Sequence, residues 1–125
     1  MIFGIGTDIV DLDRIKAIKS HDDFASKILG PLEMEKYKKL KEDSKILYLG
    51  KQFAAKESLV KALGTGFRDP IFPKDIQVLR NDVGKPEVIF SDAVESYVQD
   101  LGITKSHVSL ADESNHLIAF AIVEI

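Results

Sequence analysis

Three side chains in this sequence sit where their surroundings give a charge little reason to be. Asp8 lies in "GIGTDIV", whose neighbours read as a buried strand, and a charged group is seldom buried unless it is paired or metal-bound. Gly4 and Gly6 precede it on the face shared by alternate residues and leave the backbone open to close approach. The competing reading is a strand-end aspartate that caps the next helix. Glu57 and Lys61 stand one helical turn apart in "FAAKESLVKALGTGF". On an ideal wheel Glu57 falls about 40° from Phe53 and about 20° from Ile46, at the edge of an apolar stripe. Gly50 lies nearby on that side and Lys61 about 40° further round. By spacing alone, Glu followed by Lys at i,i+4 is a surface pair worth ~0.2–0.5 kcal/mol to a helix. Lys56 falls inside the stripe, where periodicity alone does not account for it.

Gly64, Thr65 and Gly66 follow this segment and invite comparison with a phosphate cradle. Such loops lead into a helix, whereas this one leaves a helix C-terminus, where the dipole disfavours anions. A C-cap with a flexible turn is the better reading by spacing, and any phosphate here needs cations from Lys61 and elsewhere. His21, His107 and His116 show no metal-ligand spacing. His107 opens an alternating segment in which His107, Ser109 and Ala111 oppose Val108 and Leu110.

The elements that must position these groups are legible from pattern. "MIFGIGTDIV" is apolar and β-branched, and predicts a buried strand reaching Asp8. Leu12, Ile15 and Ile18 follow at helical spacing with Asp11 as N-cap, and "SHDD" breaks that helix. Phe24, Ile28 and Leu29 predict a second helical segment ending at Gly30-Pro31, and Glu33 to Leu40 a further turn or two. The longest helix runs from about Ser44 to Leu63, with Ile46, Leu49, Phe53, Val60 and Leu63 in one stripe and Gly64 stopping it. An irregular loop, "GFRDPIFPKD", precedes a strand from Ile76 to Leu79, the turn "NDVGKP" and the strand "EVIF". Ser91 caps a helix that presents Val94, Tyr97, Val98 and Leu101 to the core and closes at Gly102. "HVSLA" and "LIAFAIVEI" are the last strands, joined by "DESNH". The expected order is β-ααα-ββ-α-ββ, an α+β fold with a mainly antiparallel sheet.

The chain has 125 residues, a length that suits one domain over 1–125. A hydrophobic fraction of 45% and a charged fraction of 30% are those of an ordinary globular protein. Net charge is −3 with the signs interspersed, which argues against a nucleic-acid-coating surface. With no cysteine, disulfides and thiolate metal sites are excluded, in keeping with a reducing compartment. No apolar run approaches membrane-spanning length, and the N-terminus lacks the charged, apolar and cleavage regions of a signal peptide. A cytoplasmic location is expected.

Four segments, "GIGTDIVDLDRI", "QFAAKESLVKALGTGF", "VGKP" and "HVSLADE", occur in this order. Together they resemble the small single-domain 4′-phosphopantetheinyl transferases, the holo-[acyl-carrier-protein] synthase family, and the resemblance covers essentially the whole chain. It implies transfer of the 4′-phosphopantetheine arm of coenzyme A to a serine of apo-acyl carrier protein, with release of adenosine 3′,5′-bisphosphate. It further implies Asp8 and Glu57 as Mg²⁺ ligands (with Mn²⁺ a substitute), an ion that suits a few carboxylates, retained waters and substrate phosphate. The serine hydroxyl attacks the β-phosphorus, and Glu57, or a metal-bound water it orients, accepts the proton. Lys61 holds the pyrophosphate and stabilises the leaving bisphosphate. Gly64, Thr65 and Gly66 lie against the nucleotide, His107 contacts a coenzyme A phosphate, and Pro86 approaches the nucleotide. The family resemblance also implies a homotrimer with active sites between subunits, and docking of the acidic carrier protein at Arg14. Two departures stand out. Lys16 and Lys19 add charge near Arg14 where relatives often carry arginines, while Asp22 and Asp23 oppose it, which implies weaker or more selective docking. Ser58 replaces a usual alanine and touches no implied role.

Two readings of a different class stand beside the enzyme. One is a catalytically silent coenzyme A- or nucleotide-binding module; the other is a carrier-docking module without chemistry. The presence of both Asp8 and Glu57 favours the enzyme, since a silent module has no use for two metal-binding carboxylates.

Overall fold

Strand β1 (Ile2–Asp11) takes up the apolar N-terminal segment in the computed structural model, which describes residues 1–125. It pairs antiparallel with β5 (His116–Glu124), and β5 pairs antiparallel with β4 (Lys105–Glu113), in the order β1-β5-β4. A second antiparallel ladder joins β2 (Ile76–Arg80) to β3 (Pro86–Phe90). The α+β class and antiparallel pairing are therefore as the sequence pattern indicates.

Between β1 and β2 lie α1 (Leu12–Lys16), α2 (His21–Ile28), α3 (Pro31–Lys39) and α4 (Glu42–Leu63), the four helical segments read from the pattern, which the order β-ααα-ββ-α-ββ writes as three. At "SHDD" one helix gives way to the next. Besides ending α1, this segment starts α2, because the Ser20 hydroxyl accepts the Asp23 amide at 3.2 Å. Asp11 caps α1 through the Asp13 amide, 2.9 Å away, so the capping role considered for Asp8 belongs to Asp11. Pro31 opens α3 at the position where a missing N–H costs nothing. A 3-10 turn (Pro73–Asp75) precedes β2, and α5 (Asp92–Asp100) is capped by Ser91. No helix is long and apolar enough to cross a membrane.

Helix α4 is the axis of the molecule. Its N-terminal half packs Leu49 and Ala54 into a cluster with Val10, Ile15, Ile28 and Leu117. Its C-terminal half packs Leu59, Val60 and Leu63 against Ile76, Val94, Val98, Ala121 and Val123. Each fully buried leucine contributes about 1.5–3 kcal/mol over its exposed state. A single stripe underestimates the helix, because sheet, helices and the β2–β3 ladder cover it on several sides, burying Gln52, Lys56 and Ser58 as well. Lys56 is wholly inaccessible, and its ammonium lies 2.7 Å from Glu33 Oε1 in α3. Burial holds the Lys56 ammonium below the usual lysine range, against the opposing pull of Glu33.

Candidate active site

The site forms where α4 lies against β1. A Cβ at Gly6 would sit 2.7 Å from the Ala62 amide nitrogen and closer still to the Ser58 carbonyl oxygen. A Cβ at Gly4 would meet the Ala62 carbonyl in the same way. Only glycine permits this approach, since the obstruction is helix backbone and cannot rotate away. Two residues beyond Gly6, on the same face, comes Asp8. The helix held against the glycines thus brings its Glu57–Lys61 turn beside a strand carboxylate far away in sequence.

The charges pair differently from the i,i+4 expectation. Lys61 Nζ donates to Asp8 Oδ1 at 2.9 Å and to the Thr7 carbonyl at 3.0 Å, and so bonds across to β1. Among the ion pairs of the chain Glu57 takes no part. Desolvation pushes the Glu57 carboxyl above the usual glutamate range, and repulsion from Asp8 adds to this while Lys61 opposes it. The Asp8 side chain is 15% exposed and that of Lys61 51%, so the carboxylate is anchored and the ammonium can move. Thr7, Asp8, Ile9, Lys61 and Ile118 line an open cavity of about 380 Å³ at this point.

Two hard carboxylates that repel each other, one of them lining an open cavity, fit a divalent ion such as Mg²⁺. No three His, Asp or Glu side chains converge to form a complete protein cage.

The other residues singled out in the sequence are distributed around this seam. Gly64 caps α4 with φ 77°, and Gly66 has φ 64°, both in the region open to glycine. The turn carries a cation that pattern reading missed: Arg68 Nε donates to the Thr65 carbonyl at 3.1 Å. Its signal was present as a basic residue just past the glycine turn. Pro86 opens β3, opposite Arg80 in the second ladder. His107 stands in register with Ile122 and Ile5, on the sheet face turned away from α4. Its ring Nε2 lies 2.7 Å from Glu124 Oε2, and the hydrogen bond lowers the Glu124 carboxyl below its usual range. Asp8 and His107 therefore occupy opposite faces and opposite edge strands of one sheet, and a single chain does not bring them together.

Arg14 projects from α1 beside Val10, Ile15, Ile18, Phe24 and Phe53, which with it line an apolar cavity of about 180 Å³. It enters no ion pair. Of the acids expected to oppose it, Asp22 is engaged by the Tyr37 hydroxyl at 2.9 Å.

With this geometry in view, relatives are informative. Residues 4–121 match the 4′-phosphopantetheinyl transferase superfamily, and the chain belongs to that family. Within it the similarity is to holo-[acyl-carrier-protein] synthases. The enzyme of that name from Hamiltonella defensa is 40% identical over 98% of both chains. The crystal structure of the Neisseria meningitidis holo-[acyl-carrier-protein] synthase superposes with a TM-score of 0.91 at 36% identity, covering 100% of each chain. The Bacillus anthracis synthase, solved in complex with coenzyme A (3′,5′-ADP), gives a TM-score of 0.82 at 33% identity over 98% of this chain and 96% of that one.

Proposed function

We propose that residues 1–125 form one cytoplasmic transferase domain that moves 4′-phosphopantetheine from coenzyme A to a serine of apo-acyl carrier protein, releasing adenosine 3′,5′-bisphosphate. The observation that carries this reading is the meeting of Asp8, Glu57 and Lys61 at the β1–α4 seam, with Lys61 bonded to Asp8 and Glu57 left unpaired. Asp8 and Glu57 would hold a Mg²⁺ ion, with Mn²⁺ a substitute, which when bound supplies charge neutralisation to the pyrophosphate. Glu57, with its carboxyl made more basic by its surroundings, takes the serine proton directly or through a water it orients. Lys61 supplies positive charge to the leaving bisphosphate. Gly64, Thr65 and Gly66, joined by Arg68, receive the nucleotide part. Arg14, beside the apolar cavity of α1, meets the acidic carrier.

On this reading Lys61→Ala lowers kcat by about 10²–10³-fold, the size of losing one pre-organised electrostatic contact. A steady-state assay of that variant checks it. An unchanged kcat with a lowered melting temperature would reduce Lys61 to a structural partner of Asp8. The reading as a whole is tested by incubating the protein with coenzyme A, Mg²⁺ and apo-carrier, then weighing the carrier by mass spectrometry. A gain of one phosphopantetheine is expected, and no gain with either Mg²⁺ or Mn²⁺ would leave only the two readings without chemistry, the silent binding module and the carrier-docking module.

The active form is read as a homotrimer. Its support is the sheet face away from α4, where Ile5 is 60%, Ile9 61% and Ile118 48% exposed; an apolar patch of this kind favours burial against another surface. His107 lies on the same face, so packing these faces together brings His107 to the boundary between copies, where the active sites are read to form, with Pro86 on the nucleotide side. Ile118→Asp is expected to convert trimer to monomer in sedimentation equilibrium and to raise the KM for coenzyme A. A variant that remains trimeric would remove this face from the interface.

A further inference from the structure

Glu33, Gln52 and Lys56 form a buried polar cluster behind α4, on the side away from the seam with β1, and the reaction as described makes no use of it. All three side chains are 0% exposed. Both Glu33 oxygens are doubly engaged. Oε1 accepts from the Gly30 amide at 2.9 Å and from Lys56 Nζ at 2.7 Å; Oε2 accepts from the Val78 amide at 3.2 Å and from Gln52 Nε2. Lys56 directs its remaining protons to the carbonyls of Pro73, at 2.9 Å, and Ile76. Gln52 also donates to the Val78 carbonyl at 2.8 Å. A neighbouring contact ties the same segments together, for Gln77 Oε1 in β2 accepts the Leu32 amide at 2.8 Å. The start of α3, the middle of α4 and the entry to β2 are thereby joined through one carboxylate.

Stability is a poor account of this arrangement. Burying two charges is expensive, and an apolar pair of similar volume often serves as well or better. The cluster even leaves Gln52 Oε1 buried without a partner, a further cost. What directional bonds provide, and apolar packing does not, is a fixed rotational setting. On the opposite side of α4 the side-chain bonds to β1 are those of the half-exposed Lys61 itself, and Gly4 and Gly6 let the helix approach β1 without side chains to key its rotation. Lys56 immediately precedes Glu57, so a helix pinned at Lys56 has Glu57 held about 100° further round and Lys61 about 140° from Lys56.

We infer that the Glu33–Gln52–Lys56 cluster is a positioning group that locks α4 about its axis, so that Glu57 and Lys61 face Asp8. The inference rests on the transferase reading above and extends it to residues remote from the reacting atoms. It also accounts for a lysine inside an apolar stripe.

The test compares wild type with Gln52→Met and with the double variant Glu33→Gln/Lys56→Met, which removes both charges together. Mn²⁺ binding to the protein alone is followed by electron paramagnetic resonance, alongside kcat, KM for coenzyme A and melting temperature. Positioning predicts at least a ten-fold loss of kcat and weaker Mn²⁺ binding, well below the melting temperature and with KM for coenzyme A little changed. Gln52→Met, which keeps the ion pair, should lose less in the same direction. If either variant is folded and retains wild-type kcat and Mn²⁺ affinity, the cluster is only structural and the inference is overturned. If the double variant fails to fold, Gln52→Met decides alone. An inactive wild type would overturn the transferase reading, and this inference with it; an active wild type matched by its variants would overturn this inference only.

Discussion

Glu57→Gln is expected to lower the transfer rate by about 10²-fold or more, the contribution of a positioned proton acceptor, while leaving the protein folded and no less stable. The amide keeps the shape of the side chain but neither accepts the serine proton at neutral pH nor offers a second anionic oxygen to a divalent ion. The stability half follows from the same surroundings. Wild-type Glu57 is desolvated and repelled by Asp8, so its carboxyl titrates higher in the native state than in the unfolded chain. The native state then holds more protons across that interval, and stability falls as pH rises through it. A neutral amide at this position carries no such penalty. Thermal melts should therefore show the variant equal to or above wild type at pH 7, with the gap closing below about pH 4, where the glutamate is neutral in both states. A variant that transfers at the wild-type rate would return Glu57 to an ordinary surface role, and one that melts lower at pH 7 would contradict the repulsion from Asp8.

Gly6→Ala is the second large effect, and it acts through distance. The added methyl would collide with the Ser58 carbonyl and the Ala62 amide, both part of α4 backbone. Overpacking usually costs ~1–3 kcal/mol, and the upper end applies where nothing flexible can give way. A fall in melting temperature on the order of 10 °C is expected. Because the helix can relieve the clash only by moving off β1, Lys61 should also lose its 2.9 Å contact with Asp8, and kcat should fall even at temperatures where the variant is fully folded. Melting curves and a steady-state assay at low temperature separate the two consequences. A folded Gly6→Ala protein with wild-type kcat would mean that the seam tolerates a wider spacing than its chemistry implies.

Local features were legible wherever the signal was local. Asp11, Ser91 and Gly64 cap their helices as residue type and spacing indicate, and the strand at Ile2–Asp11 follows its β-branched composition. "SHDD" was half legible: it ends one helix, but Ser20 also begins the next, because a cap residue and a breaker have the same composition. The single stripe assigned to α4 missed the burial of Gln52 and Ser58, since periodicity reports one apolar face and cannot show that elements distant in sequence cover the others.

The candidate site divides in the same way. Sequence by itself determined that Asp8 stands among strand residues beside two glycines, that Glu57 and Lys61 share a helix turn before a glycine cap, and, through four ordered motifs, which family they resemble. Only tertiary structure decided that Lys61 bonds to Asp8 and leaves Glu57 unpaired, that Lys56 is held by Glu33, and that His107 faces away from Asp8. The physical reason is that spacing along one helix ranks only neighbours on that helix. The choice between an i,i+4 partner and a strand carboxylate depends on how closely two backbones approach, and here Gly4 and Gly6 allow α4 to lie against β1.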